Sequence, residues 1–370
     1  MRINTFFKKN WLYVILFCFI LSAIFLPRLG HDKGTSEELD QVGATREEEE
    51  INLFVGFEEA KERTQKIDKM LKKNLPLYLF YIAMNMLILL VFLAGLAIGG
   101  YFIYALIKKK EIIRKTHFAR PPPWEIGDIF RIIILSLALT YVFFIAFGFI
   151  TKFLEPALGT GLTFFKNDNF RMTFDTIVLD LIVLFIILRF MRKIYRRELS
   201  AFGFVKKDIA RNIMYGVCGY IVVLPVIFII GVVVYIILNI FNIEPPPQPI
   251  VGLFLAEKSV ALIALSGIVA AVLGPVIEEI FFRGVMYNAV KRKLGIFWAV
   301  LLTSVLFSFL HTHAMSFFLV GFIPIAILGI VLAYLYEKTG SLVPSITLHV
   351  LNNAASVLMV FMFKYFNSLI

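Results

Sequence analysis

The sequence predicts an all-α protein, a polytopic bundle of transmembrane helices with a short extramembrane amphipathic helical segment. Three observations carry that reading. The chain is 59% hydrophobic with a mean hydropathy of +0.84, whereas soluble domains are nearer 45–50% apolar. The apolar residues fall in blocks of about eighteen or more, enough to cross a hydrocarbon core of roughly 30 Å at ~1.5 Å per residue. Those blocks run continuously apolar, without the alternation of a membrane β-barrel strand.

About nine spans follow, at 11–27, 79–107, 129–150, 173–191, 212–240, 259–290, 296–313, 317–336 and 342–363. The first reads as a retained anchor, because Ser22-Ala23-Ile24 leads into bulky residues and Pro27 rather than a small-x-small cleavage site. Residues 28–75 form the one sizeable extramembrane segment. There Phe57, Ala60, Thr64, Ile67 and Leu71 recur at three-and-four spacing, the signature of an amphipathic helix. Pro121-Pro122-Pro123 and Pro245-Pro246-Pro247 are breakers between spans. The expected organisation is an N-terminal two-span extension with its charged arm (1–120), accessory core spans (121–250) and a functional region (251–370). No internal repeat is visible.

The net charge of +11 does not indicate a nucleic-acid partner. With the N-terminus placed in the cytoplasm, the inner loops hold 22 Lys and Arg against 6 Asp and Glu, so the basic excess is topological. Anionic membrane lipid is a secondary partner for these loops. The two cysteines, Cys18 and Cys218, both lie in expected spans. They give neither a disulfide framework nor a thiolate metal site.

The informative residues are polar ones inside apolar spans. Glu278, Glu279 and Arg283 share one span, His311 lies in the next, and His349 and Asn353 lie in the last. An ionisable group at the bilayer centre costs at least ~2.5–3.5 kcal/mol, so such groups are rare and face a cavity. Glu279 and Arg283 are i,i+4 and pair on one helix face. An arginine-paired glutamate is a poor base, which leaves Glu278, about 100° around the helix, as the working acid/base. Phe307 and His311, and likewise His349 and Asn353, are also i,i+4. Counted from the inner boundary, Glu278 lies roughly 18–20 Å deep, His311 roughly 24 Å, His349 roughly 12 Å and Asn353 roughly 18 Å. Three helices thus bring polar groups to overlapping levels. Pro275 cannot donate to the Ala271 carbonyl, which predicts a kink just before the glutamates.

Peptide-bond hydrolysis fits this set. A glutamate and a histidine can hold and deprotonate a water, and a second histidine with an amide can bind the oxyanion. No HExxH is present, but Glu278, His311 and His349 could together ligate zinc. Asn352, three residues after His349, could take the place of Asn353. Other intramembrane polar residues have duller explanations: Asp180 bonds between helices, Asp175 is near enough to the surface to be solvated, and His313 is interfacial.

The three motifs resemble those of the CPBP family, which comprises CAAX prenyl proteases of the Ras-converting type, bacteriocin-processing enzymes and abortive-infection proteins. Glu278-Glu279-Ile280-Phe281-Phe282-Arg283 is similar to EExxxR, Phe307-Ser308-Phe309-Leu310-His311 to FxxxH, and His349-Val350-Leu351-Asn352-Asn353 to HxxxN. The resemblance covers about 255–365. It implies an intramembrane endopeptidase of glutamate type with no bound metal. Glu278 and His311 would activate the water, His349 and Asn353 would form the oxyanion site, and Glu279, Arg283 and Phe307 would support them. The implied substrate is a peptide or protein that is membrane-associated, prenylated or leader-bearing, and the implied location is a prokaryotic plasma membrane. Two other readings compete. A proton-coupled transporter could use the same buried groups as a relay, although paired repeats are missing. A non-enzymatic immunity or scaffold protein would not need all three motifs.

Overall fold

The structure is a computed structural model that describes residues 13, 16, 74–116, 122–158, 164, 165, 167–204, 208–241, 254–312 and 315–367. The expected first span and nearly all of the 28–75 arm lie outside these residues, as do Cys18 and His313. Among the described residues the chain is helical and contains no strand. The helices are α1 (Leu75–Ile107), α2 (Ile126–Leu158), α3 (Asp168–Arg189), α4 (Ile209–Ile240), α5 (Val260–Leu294), α6 (Ile296–His311), α7 (Met315–Thr339) and α8 (Leu342–Asn367). Eight expected spans are therefore present as helices, with ends displaced by up to eight residues.

Six helical stretches are long and apolar enough to cross a membrane: α1, most of α2, α4, α5, Gly321–Thr339 of α7 and Leu342–Tyr365 of α8. The chain is an integral membrane protein. α6 is apolar but only 16 residues long. α3 is more polar, because Asp168, Arg171, Asp175 and Asp180 fall within it. The outer faces are strongly apolar. Leu87, Leu90, Ile229 and Ile236 are all exposed, as helices that face lipid must be.

The described residues divide into two compact units. One contains α2 and α3. The other contains α1 and everything from Phe190 onward, including all the motif residues. Within this second unit α4 is the central rod, touching α1, α7 and α8. Val223 of α4, Leu328, Leu332 and Leu335 of α7 and Leu348 of α8 form its buried apolar cluster. The short connections α5–α6 and α7–α8 turn on Gly295 and Gly340, whose φ angles of 87° and 72° suit a residue without a Cβ.

α5 is not a uniform helix. It begins at an N-cap, where the Ser259 side chain accepts from the Leu262 amide. It runs as α-helix to Ile268, as π-helix over Val269–Leu273 and as α-helix over Gly274–Glu279. A second π stretch, Ile280–Tyr287, leads into a final α turn, Asn288–Leu294. The kink expected at Pro275 is realised as a change of hydrogen-bond register. π-bulges of this sort occur frequently at functional sites.

The contact between α4 and α8 depends on Gly216. A Cβ there would lie 2.6 Å from both the Pro344 carbonyl oxygen and the Thr347 Cβ. We expect Gly216→Val to separate these helices and destabilise the protein by about 1–3 kcal/mol, read as a lower melting temperature of the detergent-solubilised chain.

Candidate active site

α5 supplies both glutamates, and their adjacency sends them to different partners. Glu279 turns inward and is fully buried. Its Oε1 meets the Arg283 Nη1 at 2.7 Å, the i,i+4 pair that the spacing predicts. Arg283 is also fully buried. Its Nη2 donates to the Gly329 carbonyl of α7 at 3.1 Å, and its guanidinium lies 4.8 Å from the Phe307 ring centre on α6. A charge this deep persists only with such a set of partners.

The same Glu279 oxygen also receives His349 of α8, with Nδ1 at 3.0 Å. The i,i+4 rule could not reveal this contact, since it is formed between helices. A carboxylate held by arginine can only accept, so Nδ1 carries a proton, and Nε2 of the ring faces Glu278 Oε2 at 3.7 Å. The same Glu278 oxygen faces the His311 Nε2 of α6 at 3.4 Å. On its other side His311 Nδ1 lies 2.7 Å from the Phe307 carbonyl. A carbonyl only accepts, so that nitrogen is the donor and Nε2 keeps its lone pair. Both separations to Glu278 exceed the usual hydrogen-bond range of about 2.7–3.2 Å. The three groups face each other without locking together.

Phe307 explains why an aromatic belongs four residues before His311. Its ring contacts His311 at 4.3 Å and His349 at 5.5 Å between centres, beside the arginine contact already described. It fixes two imidazoles and a guanidinium at once.

Exposure divides the cluster. The Glu278 and His311 side chains are 31% and 33% exposed, against 2% for His349 and none for Glu279 and Arg283. A buried triad of Glu279, Arg283 and His349 thus backs an accessible pair.

Asn353 is held at both ends of its carboxamide. Its Nδ2 donates to the Ala270 carbonyl of α5 at 3.1 Å, while its Oδ1 accepts from Asn352 at 3.3 Å. One of the two amide hydrogens assigned to an oxyanion is therefore already in use. The carbonyl it serves is Ala270, not the Ala271 that an unbroken α register would leave without a donor. Asn352 is the donor to the Asn353 carboxamide oxygen. Asp175 and Asp180 lie on α3, in the other unit.

Below the cluster, the second π stretch leaves backbone carbonyls that Asn288 serves. Its Nδ2 donates to the carbonyls of Arg283 and Gly284, both at 2.9 Å. Tyr287 and Lys291 then both bond to Glu337 of α7. Sequence spacing shows none of this second layer.

Comparison with known proteins agrees with the motifs. Residues 260–355 match the family described as "Type II CAAX prenyl endopeptidase Rce1-like". The chain is 27% identical over 154 residues to a Bacillus subtilis (strain 168) protein named "Putative membrane peptidase YdiL", which amounts to 42% of this chain and 59% of that one. It thus spans about three-fifths of the length of the curated relative it matches. No solved structure matches the chain. All three motifs lie inside the matched region, so the family match and the motif resemblance fall on the same residues.

Removing one partner of the buried pair tests the layer behind the accessible groups. Arg283→Met should strand Glu279 in the bundle interior and cost about 3–5 kcal/mol. The melting temperature in detergent would fall accordingly, and a variant as stable as the parent would contradict the arrangement.

Proposed function

We propose that this chain is an intramembrane endopeptidase that hydrolyses a peptide bond of a membrane-associated, prenylated or leader-bearing substrate. The observation that carries the proposal is the convergence of two imidazole nitrogens, from α6 and α8, on one oxygen of Glu278. Glu279 and Arg283 neutralise each other behind that oxygen, which leaves Glu278 for proton transfer. The family match and the relative's printed name support the same class of reaction.

In this mechanism a water enters between Glu278 and His311, the two accessible groups. The His311 Nε2 lone pair orients it, and Glu278 takes its proton as it attacks the scissile carbonyl. Negative charge then develops on the carbonyl oxygen, towards the remaining amide hydrogen of Asn353 and towards His349, whose Nε2 donates when the ring carries a proton on both nitrogens. Collapse of the tetrahedral intermediate returns the proton from Glu278 to the departing amine. The scheme uses no metal. The topology we assign places the N-terminus in the cytoplasm, because the inner loops are basic; a prokaryotic plasma membrane is the location that the family resemblance implies.

The test is cleavage of an internally quenched, farnesylated peptide ending in Cys-aliphatic-aliphatic-X by the purified chain, in buffer containing a strong chelator. The parent should cleave it. Glu278→Gln and His311→Ala should each lose about 10²–10⁴-fold in kcat while their melting temperatures stay within a few degrees of the parent's. Parental turnover by Glu278→Gln would reject the assignment, and loss of parental activity to the chelator would reject the metal-free scheme.

A further inference from the structure

We propose that Pro275 is a positioning residue, which aims the Asn353 carboxamide by withholding a backbone donor from the Ala270 carbonyl. Over Val269–Leu273 the α5 backbone is in π register, and the Gly274 amide donates to the Val269 carbonyl, five residues back. In that register the next carbonyl, Ala270, would receive the amide of residue 275. That residue is proline, which has no N–H. The Ala270 carbonyl instead accepts from Asn353 Nδ2 at 3.1 Å, across the interface with α8.

An unpartnered carbonyl inside a bundle is costly, so the proline makes this side-chain contact favourable rather than incidental. Asn352 holds the other end of the carboxamide, donating to Asn353 Oδ1 at 3.3 Å. With both ends tied, the amide plane is fixed and one N–H is left over. Asn353 stands one helical turn beyond His349, and Pro275 one turn before Glu278 and Glu279. The arrangement therefore links the oxyanion group on α8 to the helix that carries the base. The functional half of this inference rests on the oxyanion role proposed above; the structural half does not.

A proline that merely bends a helix behaves differently when replaced. Pro275→Ala restores an amide and removes a helix-breaking residue, which by itself favours the helix. We expect its melting temperature to equal or exceed the parent's, because the new amide competes for the Ala270 carbonyl. Its kcat on the quenched farnesylated peptide should nonetheless fall about tenfold, with KM within about twofold, because a loosened donor acts on the transition state rather than on binding.

The decisive experiment is a double-mutant cycle between Pro275→Ala and Asn353→Ala on the detergent-solubilised full chain, with Pro275→Ser substituted if the alanine variant fails to fold. Asn353→Ala should lower the melting temperature by about 2–4 °C beside Pro275 and by less than about 1 °C beside alanine. Its effect on kcat should shrink likewise. Additive losses in melting temperature would overturn the proposal. Coupled melting temperatures with parental kcat in Pro275→Ala would reduce the contact to a structural one and overturn the positioning role. Coupled melting temperatures with no cleavage by the parent would count against the hydrolase reading and leave the carboxamide contact standing.

Discussion

A glutamate and an arginine lie fully buried in a bundle whose other buried side chains are mostly apolar or small and uncharged, and the organisation of the site follows from the partners they take. Glu279 and Arg283 are fully buried, so their partners come from the protein, although Glu279 Oε2 and Arg283 Nε make no hydrogen bond. Arg283 takes its own helix's carboxylate, a backbone carbonyl of α7 and the face of an α6 ring. Glu279 accepts from α8 through His349. One ion pair thereby fixes the relative placement of four helices. A buried pair seldom adds much net stability over an apolar replacement. What it provides here is a defined geometry, since few other arrangements would satisfy both charges together.

That geometry separates two roles that a single carboxylate could not fill. The carboxylate committed to arginine orients an imidazole, while its neighbour, turned by one residue, presents one oxygen to two ring nitrogens on a side chain that is partly exposed. The adjacency of the two glutamates is thus a mechanical device. It places a fixed group and a free group on one helix within a few ångströms. The π stretches on either side of Gly274–Glu279 adjust the helical phase, and the carbonyls they release are served by the Asn353 and Asn288 side chains. Each irregular stretch has a carboxamide on at least one of its carbonyls.

Much of this was legible in the sequence, for identifiable reasons. The spans could be read because lipid demands unbroken apolar runs, and their ends shifted by up to eight residues. α3 was the least clear, since Asp168, Arg171 and Asp175 extend it into polar sequence, and α6 is short for a span. The motif residues stood out because charge in hydrocarbon is expensive. The Glu279–Arg283 pair followed from i,i+4 spacing alone. The contacts of Glu279 with His349 and of Asn353 with Ala270 were invisible, because both join residues about seventy or more positions apart on separate helices. The π register was hidden too: a proline announces a missing amide but not which carbonyl loses its donor, a choice made by packing against α8.

The central claim is that Glu278 acts on a water molecule and forms no bond to the substrate. A single turnover in ¹⁸O-labelled water, followed by mass spectrometry of the released peptide and of the protein fragment containing Glu278, tests it most directly. The account predicts one heavy oxygen in the new peptide carboxylate and none in the Glu278 side chain. Label in Glu278, the mark of an acyl-enzyme anhydride, would contradict it.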